Sequence, residues 1–165
     1  MAHALRHTCI LSIVSLFGMG TTVQAAPPPA APTDLAVTAW MDLGDDNANG
    51  VIVEVNVNGT KDWGRPDADG RVDLVLPADA VALIHFRKAG HLTKTVSVDT
   101  HNMSDASFNG RRHSISFGVR MDATASEDLA YAGPVGSIAF DLTSGELLIE
   151  QDQHLVPVRQ QTVVF

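Results

Sequence analysis

Cysteine is nearly missing from this 165-residue chain, and Cys9 is the only one. A single thiol builds neither a disulfide framework nor a multi-cysteine zinc site. Positive charge is scarce too: 11 Lys and Arg face 19 Asp and Glu, for a formal charge of −8. That balance excludes a nucleic-acid partner, which needs a basic face. Aromatic residues are only 5% of the chain, leaving Trp40, Trp63 and Tyr131 as the rings that could stack on a ligand. No window of helical length carries a strong apolar stripe; the best helix candidate, 123–130, is short and polar. What remains is a chain that is 45% hydrophobic, enough for one ordinary packed domain.

The N-terminus has the organisation of an export signal. Arg6, with His3 and His7, gives a short basic start, and Cys9–Phe17 forms an apolar run too short to span a bilayer. Val23-Gln24-Ala25 places small residues where a signal peptidase cuts. Residues 1–25 are therefore expected to be a signal peptide, and 26–34 an extended Ala/Pro-rich spacer. Cleavage would remove Cys9 and leave no membrane span. Packing alone would then hold the domain together in an oxidising compartment.

From Leu35 onward the apolar residues recur with period two. Val51, Val53, Val55 and Val57 share one face, with Ile52, Glu54 and Asn56 on the other, as in a half-buried strand. Val72, Leu74 and Leu76 repeat the pattern before Pro77. Residues 81–87 are apolar on both faces, as a central strand would be. Leu92–Val98 and Ile115–Met121 alternate again, and Ile138–Phe140 with Leu147–Ile149 reads as a hairpin around Ser144-Gly145. Asn58-Gly59, Asp69-Gly70, Ala89-Gly90 and Asn109-Gly110 punctuate the runs with residues suited to turns. Short strands at this spacing predict an all-β, antiparallel sandwich, because a sheet with one apolar face needs a second layer.

Several segments carry a family resemblance: Leu35–Met41, Gly50–Val55, Pro66–Leu74 with its Asp69-Gly70 turn, Leu76-Pro77, Ile84–His91 and Val98–Asn102. Over residues 35–102 the chain resembles the carboxypeptidase regulatory-like domain, a transthyretin-type β-sandwich, in a bacterial envelope branch of that family. The resemblance implies about seven antiparallel strands in a module with no catalytic residues to carry over. The expected organisation is a sandwich over 35–121 and a C-terminal extension over 122–165, whose hairpin packs on the same domain.

Four features bear on chemistry. Asp45, Asn47 and Asn49 fall at the first, third and fifth positions of a calcium loop, with Gly50 at the sixth. The twelfth position is Asn56, which lacks the closing bidentate carboxylate, so the alternative is an Asn/Gly-rich turn between strands. Asp62, Asp67 and Asp69 mark a second acidic turn, in which Asp67 would bond its own backbone. His85, His91, His101, His113 and His154 show no His-x-His or His-Glu-x-x-His spacing, so zinc is not expected. Trp63, in Lys61–Pro66, is expected in a loop and is the candidate ligand contact, against the alternative that it caps the core edge.

An enzyme of the same sandwich class, such as the transthyretin-related hydrolases, would require a C-terminal Tyr-Arg-Gly-Ser motif. The chain ends Gln160–Phe165 instead. The sequence thus leads to an exported, non-catalytic, monomeric sandwich in the periplasm or outside a Gram-negative cell, with no cofactor. Its partner is expected to be another envelope protein or a polysaccharide; weak carbohydrate or calcium binding through the loops is the alternative. Pro77 and the cations Arg87, Lys88 and Lys94 are expected to blunt unwanted strand-edge pairing.

Overall fold

The structure is a computed structural model that describes residues 34–44, 47–104, 108, 113–124 and 128–158. The signal-peptide and spacer readings lie outside the described residues. Those described contain eleven strands: β1 (Leu35–Asp42), β2 (Ile52–Val57), β3 (Thr60–Gly64), β4 (Arg71–Leu76), β5 (Val81–Arg87), β6 (Lys94–Asp99), β7 (Ser114–Arg120), β8 (Leu129–Tyr131), β9 (Gly136–Phe140), β10 (Leu147–Gln151) and β11 (Leu155–Pro157). The protein is all-β and sandwich-like, as the alternating pattern requires.

The two principal sheets differ in width. A three-stranded sheet has the order β4-β1-β7, and a six-stranded sheet has the order β10-β9-β6-β5-β2-β3; β8 and β11 pair separately. Leu35, Val37 and Ala39 of β1 bury one face of the smaller sheet. Val53, Ile84, Phe86 and Val98 bury the facing side of the larger one. These residues sit at every second position, so the period-two pattern becomes a single aliphatic core.

Local chemistry fixes the hairpins. Asn58 and Gly59, between β2 and β3, both have positive φ, 50° and 86°, as a tight hairpin whose twist matches its strands demands. Gly70 has φ +78°, and a Cβ added there would meet the Met41 carbonyl at 3.1 Å, while its own carbonyl accepts the Met41 N–H at 2.7 Å. Only glycine fits that approach. Asp67 does bond its own turn, accepting the N–H groups of Asp69 and Arg71 at 3.0 and 2.9 Å.

The expected architecture needs one correction. The sandwich is mixed rather than antiparallel, because β1 pairs parallel with β7 and β6 parallel with β9. The seven strands expected over residues 35–121 are β1–β7, including the polar β3, which lacks the apolar alternation that marks a strand; the short β8 and β11 are additional to the expected C-terminal hairpin. The expected C-terminal hairpin is β9–β10, and it continues the larger sheet through β6. In the segment considered for a helix, Ala123 bridges to His91 and β8 begins at Leu129.

Lys94 and Arg87 do not guard an edge. Both lie on central strands, and Lys94 points inward at an apolar parity position of β6, where it is buried.

Candidate functional site

Register places a row of polar residues across the outer face of the six-stranded sheet. Trp63 of β3 lies opposite Glu54 of β2, Glu54 opposite His85 of β5, and His85 opposite Thr95 of β6. Directly opposed residues share a face. Glu54 belongs to the outward set of β2, yet it is only 1% exposed. Lys61 from β3 reaches one carboxylate oxygen at 2.8 Å, and Arg87 from β5 lies 3.2 Å from the other. The hydrogen bond from Lys61 is the main cause that holds the Glu54 carboxyl below its ordinary pKa, with the Arg87 charge adding to it. His85 Nδ1 is 2.8 Å from Thr95 Oγ1, and burial lowers the imidazole pKa.

A histidine and a carboxylate therefore meet here, but on a sheet face with the carboxylate covered and already paired with two cations. Trp63 is not tucked against the core edge. It lies on the terminal strand β3 and is 57% exposed. With Ile52, Gly64 and Arg65 it lines a shallow depression of about 320 Å³.

At the far end of the same sheet, the narrower sheet stops short. A cleft of about 240 Å³ opens between β7 and the β9–β10 hairpin, lined by Val96, Phe117, Val119, Ile138 and Ile149. Lys94 closes one end of it. Its ammonium lies 2.7 Å from Asp122 Oδ2, and Tyr131 Oη donates to that same oxygen at 2.5 Å. The Lys94 hydrogen bond is the main cause of the lowered Asp122 pKa. Burial, then the Asp122 carboxylate, raises Tyr131 to about 12. The ammonium also sits 5.3 Å from the Tyr131 ring centroid, so one buried cation ties β6 to the segment between β7 and β8.

β10 is the outermost described strand beside this cleft, and all five of its residues are exposed. The bonds from Asp141 N to Glu146 O and from Asp152 N to Val135 O set the alternation of the β9–β10 ladder. Leu148 and Glu150 face β9 with their backbone groups, so those of Leu147, Ile149 and Gln151 point away from it. No described strand pairs with them. Side chains do not protect this edge either: Leu147, Leu148 and Ile149 are large, apolar and in water.

Of the calcium pattern, Asp45 lies outside the described residues. Asn47 Oδ1 accepts the Asn49 N–H at 2.9 Å, and the Lys88 ammonium donates to the Asn47 backbone carbonyl at 2.8 Å. Among the described residues, no three His, Cys, Asp or Glu side chains are grouped so as to hold a metal ion. The histidines are dispersed; His101 pairs with Asp99 at 2.7 Å, and His113 is buried with its ring against Phe108. No described helix is long and apolar enough to cross a membrane.

No protein-family model, no curated protein and no solved structure matches the chain.

Proposed function

We propose that the protein is an exported, non-catalytic β-sandwich module of the cell envelope that binds another envelope protein by accepting one of its strands at β10. The observation that carries this reading is the β10 edge itself: three consecutive exposed aliphatic residues on a strand whose outward backbone groups have no partner among the described residues. An unpaired edge supplies affinity through main-chain hydrogen bonds, and the adjoining apolar cleft supplies side-chain selectivity. The incoming segment would be extended and aliphatic, with its inward side chains lying over Ile149 and Phe117 in the cleft. Export is supported by the leader-like residues 1–25, and the accessory role by the resemblance over residues 35–102.

A photo-crosslinking residue placed at Ile149 of the full chain, in its native cells, tests the proposal. The expected result is one discrete adduct with another protein, lost when Ile149→Pro is combined with a crosslinker at Leu147. Ile149→Pro removes an outward N–H and spares the β9 ladder, so the melting temperature should hold while the adduct disappears. A crosslinker at Val75, exposed on β4, is the control. No adduct from Ile149, the same adduct from Val75, or an adduct only with a second copy of the chain would overturn the proposal.

A further inference from the structure

We infer that the outer face of the six-stranded sheet around Trp63 is a second binding platform, independent of the β10 edge, for an acidic polysaccharide bearing uronate groups. Trp63 and Ile52 are exposed side by side on β3 and β2, and they form a small apolar floor. Three cations border that floor, while Asp62, Asp67 and Asp73 share a separate depression with Trp63 and Arg65. Lys61 and Arg87 flank it across the strands, and Arg65 follows Trp63 at the next position on the same side.

The outward-facing residues of β3, β2 and β5 include a single carboxylate, Glu54. That carboxylate is buried beneath Lys61 and Arg87, hydrogen-bonded to Lys61 and within 3.2 Å of the Arg87 guanidinium. Both cations remain about half exposed, with donors to spare. Asp62, the nearest acid on β3, pairs with Val55 in the ladder and so belongs to the opposite face. A locally positive floor on a chain of charge −8 is a selective feature, and its complement is an anion.

The shape selects among anions. The depression is shallow, and no enclosing pocket receives a peptide side chain as an interface anchor normally requires. A pyranose ring needs no such enclosure, because its C–H face lies flat on an indole. Lys61 and Arg87 reach in from the strands on either side of β2, and their charged ends converge over Glu54. One sugar can stack on Trp63 while the carboxylate of the same or the next ring meets an exposed guanidinium beside it, which binds it through two parallel N–H bonds.

The test is titration of the purified mature protein with a galacturonate hexamer at low salt, followed by calorimetry. A neutral gluco-hexamer and a glutamate hexapeptide serve as comparison arms. Binding of the galacturonate hexamer alone, weakened by salt, is the expected result. Trp63→Ala should lower affinity by about tenfold or more, and Arg87→Gln by several-fold. Trp40→Ala, on the other sheet, should leave it unchanged. Melting curves verify that each variant folds, and if Trp63→Ala does not, Trp63→Leu replaces it with the same expected loss. Absence of binding, equal binding of the neutral sugar or of the acidic peptide, or full affinity in folded Trp63 and Arg87 variants would each overturn the inference. None of these results depends on β10, so failure here leaves the edge-binding proposal standing, and the converse also holds.

Discussion

The Glu54 carboxylate is 1% exposed while its partner Lys61, 2.8 Å away across the β2–β3 ladder, is half in water. The pair is thus a covered anion under an exposed cation on the outer face of the sheet, with Arg87 completing the cover from β5. Burial of the acid without its charge partners would be unfavourable, and the partners exist only once three strands are assembled.

The pH dependence follows from that arrangement. The folded Glu54 pKa lies below its ordinary 4.5, so its contribution is present above pH 4.5 and is lost as pH falls through the folded value. Glu54→Gln should therefore lower the melting temperature at pH 7. The difference from the natural protein should shrink as pH falls below about 4. Thermal melts across that range, read by circular dichroism, provide the comparison.

The buried Lys94 makes an asymmetric prediction. Asp122→Ala leaves an ammonium in an apolar site with only the Tyr131 ring nearby, whereas Lys94→Met leaves a carboxylate that is 40% exposed and can hydrate. Asp122→Ala should cost on the order of 2 kcal/mol, below the figure for a fully buried pair because water already reaches Asp122. Lys94→Met should cost clearly less, since an unbranched apolar side chain replaces the stem. Urea unfolding of both variants measures the order; Lys94→Met proving the worse of the two would contradict it.

Tyr131 is the only tyrosine, so its ionisation can be followed without interference in the near-ultraviolet absorbance. The folded protein should titrate at about 12 rather than 10. Because the raised value favours the neutral phenol, the linked stability is complete below pH 10 and is lost as pH rises through 12. Asp122→Asn should bring the midpoint down towards 10 without reaching it, because burial, the largest cause, persists.

Periodicity made the core strands readable. Val53, Ile84 and Val98 sit at the alternating positions that the sequence assigns to a buried face, and Asn58-Gly59 marks a hairpin through its need for positive φ. Strand order was not readable, because the parallel pairings β1–β7 and β6–β9 join segments far apart in the chain. β3 escaped detection because Thr60-Lys61-Asp62-Trp63-Gly64 is an edge strand with no buried apolar parity. Lys94 shows a weaker loss of information: the alternation of β6 points it inward, but its partner Asp122 comes from a distant segment. The β9–β10 hairpin was legible because its strands are neighbours in the chain, whereas the outer side of β10, unpaired among the described residues, was not.

Residue-resolved hydrogen exchange across β10 tests the edge-binding proposal most directly. In the isolated monomer, the Leu148 and Glu150 amides should be protected by β9, while the Leu147 and Ile149 amides exchange rapidly. With the crosslinked partner present, Leu147 and Ile149 should become protected as well. Slow exchange at Leu147 and Ile149 in the monomer would mean that this edge is already occupied, and strand acceptance at β10 would be contradicted.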